Sequence, residues 1–194
     1  MFEPVERDEL SWLKAWLLKS NSHYLPHGHI RQLVILHPGA SVDHTNPYVP
    51  VVGPYAADGT PAHHQIKTIA NILVDTFGSD TTSYAALYDG TPDIPWATDV
   101  GRVAAVVESN VTYAVIRGRL AELLSYDWPA EAIGIEWVSM LWPANHTWFL
   151  TSDPDSAFTV VGCDNVLAEK FLTSPSLSAL EIPGYRWDIR VRRG

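Results

Sequence analysis

The sequence predicts an α+β fold: a single domain with a mixed, largely antiparallel sheet of about five to seven strands, packed by about three main helices. Three observations predict it. Short apolar, β-branched runs alternate with Gly, Pro, Asn and Asp clusters, the pattern of strands and turns. Three segments carry apolar residues at helical spacing instead. A chain of 194 residues that is 46% hydrophobic, with eight Trp and eight Tyr, has the apolar surface for one core. Charged residues are 18% of the chain, below the usual quarter or so, the opposite of a disordered composition. Without internal repeats, low-complexity tracts or a shift in composition, residues 1–194 read as one domain.

From Glu6 to Lys19, Leu10, Leu13 and Leu17 recur at helical spacing with Trp16 beside them, and Glu6, Asp8 and Glu9 stand at the positive end of the helix dipole. Ile30 to His37 is a β-branched run stopped by Pro38-Gly39, which predicts a buried strand. Residues 38–61 follow with Pro38, Pro47, Pro50, Pro54 and Pro61, which rule out a continuous helix or a central strand. Structureless loops longer than about 12 to 15 residues are uncommon and are usually functional or disordered. Tyr48, Tyr55, Val49, Val51 and Val52 predict that this one packs down as a site-covering segment. His63 to Phe77 is the second helix, with Ile66, Ile69, Leu73 and Phe77 on one face and Gly78 as its stop. Strands are predicted at Ser83 to Tyr88 and Thr112 to Ile116, with a short helix from Leu120 to Tyr126.

The C-terminal third has the clearest β pattern. Gly134 to Leu141, Thr147 to Thr151 and Ala157 to Gly162, joined by a Trp142-Pro143 turn and an Asp153-Pro154-Asp155 turn, predict three adjacent antiparallel strands. Asp164 caps a helix that runs through Leu172, and Tyr185 to Val191 reads as an edge strand.

Four blocks therefore stand in order: LVILHP, SYAALYDG, TYAVIRGRL and LWPANHTWFLTSDPDSAFTVVG. Their order resembles a family of uncharacterised actinobacterial proteins, in which a V-L-H-P strand, an aromatic-A-L-W-x-G strand, a Y-x-L-x-x-G-P-L block and a W-P-x-x-x-W strand with an acidic turn recur. The resemblance implies one co-linear domain and brings no activity, cofactor or catalytic residue with it. This chain carries Tyr88 where the pattern has tryptophan and Arg119 where it has proline.

A net charge of −9 disfavours nucleic acid and anionic membrane surfaces as partners, since both attract clustered Lys and Arg. Arg186, Arg190, Arg192 and Arg193 form a small basic end, read as ion pairing within the domain. No apolar run approaches the roughly 20 residues of a membrane span. The acidic start MFEPVERDEL lacks the layout of a signal peptide, and the lone Cys163 cannot form an internal disulfide, so the expected location is cytoplasmic. No Gly-rich phosphate loop is present and no cofactor is expected.

Three functional readings follow. The first is a non-enzymatic binding module that takes an unknown protein or small-molecule ligand in a Trp/Tyr-lined cleft made by Trp142, Trp148, Tyr48 and Tyr55, with His37 at the strand end. The second is a metal-assisted hydrolase in which His27, His29 and His37, with Asp43 or His44, supply three ligands and leave an open position. The third is a homodimer whose tryptophans fill a subunit interface. Cys163 reads as a packed thiol rather than a nucleophile, because Asp164 beside it opposes a thiolate, and Asp153 and Asp155 read as turn residues rather than cation ligands.

Overall fold

The structure, a computed structural model, describes residues 3, 5, 7–19, 28–42, 51–52, 63–88, 104–108, 111–125, 138–152 and 157–181. A 3₁₀ turn at Arg7–Leu10 leads into helix α1 (Ser11–Lys19), and α2 (His63–Phe77), α3 (Leu120–Ser125) and α4 (Asn165–Leu172) follow along the chain. The strands are β1 (Arg31–Leu36), β2 (Ser41–Val42), β3 (Val51–Val52), β4 (Thr82–Tyr88), β5 (Ala104–Glu108), β6 (Val111–Arg119), β7 (Met140–Pro143), β8 (Phe149–Ser152), β9 (Phe158–Cys163) and β10 (Ser178–Glu181).

The predicted α+β class is the observed one, and among the described residues the main sheet has eight strands in the order β10-β1-β9-β8-β7-β4-β6-β5. All of its pairings are antiparallel. The predicted meander is β7-β8-β9, into which β1 docks from one side and β4 from the other. The four sequence blocks fall on interior strands of the sheet: β1, β4, β6 and the β7–β9 meander. Two edge strands were not legible. Ser178–Glu181 has no β-branched residue and is half exposed, and Ala104–Glu108 pairs on one side only among the described residues. Trp142 and Pro143, expected in a turn, instead end β7 and pair with Tyr84 and Ser83 of β4. The long segment is not structureless: β2 and β3 pair antiparallel within it, apart from the main sheet.

Strict alternation along the strands gives the sheet two apolar faces. Leu33, Ile35, Ala85, Ile116, Leu141, Leu150 and Val161 face one way and meet Ile69 and Leu73 of α2, Leu120 and Leu123 of α3, and Leu167 and Phe171 of α4. Val34, Leu36, Tyr84, Ala86, Trp142, Phe149 and Val160 face the other way and meet Val5, Leu10 and Leu13. One face is thus roofed by α2, α3 and α4, and the other by the N-terminal segment.

The helix ends follow from their sequences. Gly78 has φ 91°, and its N–H closes on Val74 O at 2.8 Å, which ends α2. Asp164 accepts a hydrogen bond from Leu167 N at 2.9 Å and starts α4. The N-terminal segment is tied down by polar contacts: Arg117 binds Glu3 and Glu9, and the Tyr84 hydroxyl donates to Glu9 at 2.7 Å. Burial, reinforced by the bond to Glu9, pushes the Tyr84 phenol above its ordinary pKa. At the opposite edge Arg31 of β1 binds both Glu169 of α4 and Glu181 of β10.

Candidate functional site

Strand β1 carries a histidine just beyond each end, and the two have opposite surroundings. His37 follows the last residue of β1, on the face roofed by α2. Its backbone N–H donates to Ala157 O at 3.0 Å, and its ring Nε2 lies 2.9 Å from Thr159 Oγ1. Thr159 Oγ1 lies in turn 3.0 Å from Ser152 Oγ, and Gln65 of α2 donates to Leu36 O at 2.8 Å. Exposure is 2% for His37, 0% for Thr159 and 5% for Ser152. The chain of two hydroxyls and an imidazole is therefore shut in, and it links the ends of β1, β8 and β9. The His37 imidazole is buried and binds a hydroxyl, because an unpaired polar group in the interior would be costly.

At the other end of β1, His29 lies against β9. A Cβ added at Gly162 would stand 2.5 Å from His29 Cδ2, so a glycine there is what lets the ring rest on the strand. Gly162 pairs with Phe149 of β8. The Phe149 ring stacks on Trp142 at 5.4 Å, and Trp142 stacks on Tyr84 at 5.5 Å. Trp12 and Trp16 of α1 meet this stack edge-on, Trp12 at 5.7 Å from Trp142 and Trp16 at 5.4 Å from Phe149. The His146 ring lies 4.3 Å from Trp12. Trp12, Trp16 and His29 are half-buried and His146 is exposed, so an aromatic ladder rises from a buried floor to an accessible rim.

His146 sits in the β7–β8 turn with φ 55°, in the left-handed region. Its N–H donates to Pro143 O at 2.9 Å, and the next residue is held by Asn145, whose Oδ1 accepts from the Thr147 hydroxyl at 2.9 Å. Partial burial holds the His146 imidazole below its ordinary pKa. Burial, with the nearby His146 charge as second cause, does the same for His29. No hydrogen bond joins either ring to another described residue.

Among the described residues, the predicted site residues do not converge. Trp142 and Trp148 are 1% and 0% exposed and lie on opposite faces of the sheet, so they do not line a common cleft. Trp148 packs on Phe77 of α2 at 5.8 Å, and its indole N–H has no acceptor among the described residues, so packing accounts for it. His29 and His37 cannot share a metal ion. The five steps from Gln32, level with the His29 seat, to His37 span roughly 17 Å of strand, whereas metal–imidazole bonds are about 2.0–2.1 Å. No group of three or more His, Cys, Asp or Glu suited to a metal occurs among the described residues. Tyr48, Tyr55, His27, Asp43, His44, Asp153, Asp155, the predicted strand from Tyr185 to Val191 and its arginines lie outside the described residues. Cys163 is a packed thiol: burial first, and Asp164 second, push its pKa up to about 12.

Three residues of the observed rim were missed in the sequence. Trp12 and Trp16 stand four apart on α1, a spacing that puts both on one helix face. His146 follows Asn145 in a turn, where a left-handed backbone is common. Comparison with protein-family models, curated proteins and solved structures finds no match to this chain. Among the described residues no helix is long and apolar enough to cross a membrane.

Proposed function

We propose that this chain is a non-enzymatic binding module whose contact surface is the aromatic corner of Trp12, Trp16, His29 and His146. The observation that carries this reading is the ring ladder itself. Tyr84, Trp142 and Phe149 form a stacked floor, and the two half-buried indoles stand on it edge-on. Indoles with one buried and one accessible edge supply large contact area at low conformational cost, which suits a planar or aromatic ligand group or an aromatic side chain of a protein. A catalytic reading has less support, because the Cys163 thiol and the His37–Thr159–Ser152 chain are both enclosed.

A ligand-observed NMR screen of small aromatic and cationic fragments tests the proposal. Fragments that bind the native chain with Kd near about 1 mM should lose saturation transfer in Trp12→Ala and keep it in Ile66→Ala, a change on the far face of the sheet. Hits that bind Trp12→Ala undiminished, with its fold intact by circular dichroism, would place binding elsewhere and end the reading.

A further inference from the structure

We propose that the indole of Trp12 is the seat for a flat nitrogen heterocycle, and that the His146 ring occupies this seat in the free chain until such a ligand displaces it. The proposal rests on the reading of this corner as the contact surface, and names both the ligand class and the cover. The imidazole centroid of His146 lies 4.3 Å from that of the Trp12 indole. One flat nitrogen heterocycle therefore already sits there, supplied by the β7–β8 turn.

The surroundings favour a planar ring over a cation. Trp12 stands across the aromatic floor, at 85° to Trp142 and 87° to Phe149. Both floor residues are 1% exposed, whereas Trp12 is half-buried. A ligand at this point thus meets the Trp12 indole and not the faces of the floor. One open indole suits stacking by a flat group, while the cages that hold cations best present several aromatic faces at once.

The His146 ring is placed so that it can leave. Its plane is tilted by 44° to the indole, between the stacked and edge-on arrangements that aromatic pairs prefer. The residue is exposed, and no hydrogen bond to a described residue engages its ring. The turn that carries it is firm by contrast. Ala144 N–H donates to Thr82 O at 2.9 Å, His146 N–H to Pro143 O at 2.9 Å, and the Thr147 hydroxyl to Asn145 Oδ1 at 2.9 Å. Rotation about the His146 side-chain bonds therefore uncovers the indole while the backbone stays in place, and rotamer changes of this kind are common when ligands bind. A wider ring lying parallel to the indole covers more apolar surface than a tilted imidazole does, which favours the exchange.

Titration with benzimidazole at pH 7.5, followed by saturation-transfer NMR and by the His146 ring-proton shifts, tests the proposal. In the free chain the indole should hold those protons upfield of a free imidazole's, and they should return toward the free position as the probe saturates the site. His146→Asn should bind benzimidazole about twofold more tightly, because it removes the closed state that lowers the apparent affinity. Asparagine tolerates the left-handed backbone at φ 55°, so this exposed turn should keep its shape. Equal or weaker binding by His146→Asn, or His146 shifts that do not move at saturation, overturns the proposal and leaves the contact surface standing. A native chain that takes up no benzimidazole, or that binds tetramethylammonium more tightly, rejects the ligand class. Failure of the contact surface itself shows differently, as benzimidazole binding that Trp12→Ala does not diminish.

Discussion

The two ends of β1 make a controlled comparison, because one strand presents one residue type at both. At the His37 end the imidazole is 2% exposed and bound to Thr159, which is bound to Ser152, and the group joins three strands. At the His29 end the ring is half-buried, without a hydrogen bond to any described residue, and rests over Gly162. The two rings differ in burial and in partner, and the second difference has a cause in the sheet. What separates them is whether neighbouring strands supply a hydroxyl at the right register. Ser152 and Thr159 are direct cross-strand partners and do so; Phe149 and Gly162, the partners at the opposite end, offer only an aromatic ring and a gap.

The largest expected effect tests the floor beneath the open end. Trp142→Ala should cost about 3–5 kcal/mol in urea unfolding, as for other buried large-to-small changes, because the residue is 1% exposed and stacks on both sides. A loss under about 1 kcal/mol would mean that the ladder has no packed base.

Next come two changes of similar size at the two ends. Thr159→Val leaves the His37 ring nitrogen and the Ser152 hydroxyl without their shared partner and should cost about 1–3 kcal/mol. Gly162→Ala should cost about 1–3 kcal/mol through overpacking, and most of that should return in the Gly162→Ala/His29→Ala double variant. A double-mutant cycle with no coupling would show that His29 does not rest on Gly162.

The smallest effect is in the pH dependence. Both open-end histidines have folded-state pKa values below the unfolded value of about 6.5, so near and below that pH the unfolded chain binds more protons than the folded one. Their contribution to stability is therefore present above about pH 6.5 and is lost as pH falls toward their folded values. His146→Asn should change stability at pH 7.5 by less than about 0.5 kcal/mol while flattening the decline between pH 7 and 5.5. An unchanged slope would remove the burial of these rings from the account.

Most of the fold was legible in the sequence because its signals were local. The periodicity of Ile66, Ile69, Leu73 and Phe77 with Gly78 after it gives α2 with its observed bounds, and Asp164 marks the start of α4. The meander of β7, β8 and β9 is set by alternation and turns. The edge strands were not legible, because Ser178–Glu181 becomes a strand only through its register with Leu33 to Leu36. The site was less legible than the fold. Composition put weight on Trp142 and Trp148, yet strand alternation sends these residues to opposite faces, a consequence that needs the extent of β7 to be known. Trp12 meets His146 only because α1 crosses the sheet over β8, and no spacing within α1 encodes that meeting. Gly162 reads as a weak point in a strand until His29 is placed against it.

The contrast between the two ends is tested most directly by diethylpyrocarbonate labelling of the native protein, with each histidine followed by mass spectrometry. His146 should be modified at a rate close to that of a free imidazole, His29 more slowly, and His37 at least about tenfold more slowly than either until urea is added. Equal rates at His37 and His146 in the folded protein would show that the closed end is open, and the distinction between a structural and an available histidine would fall with it.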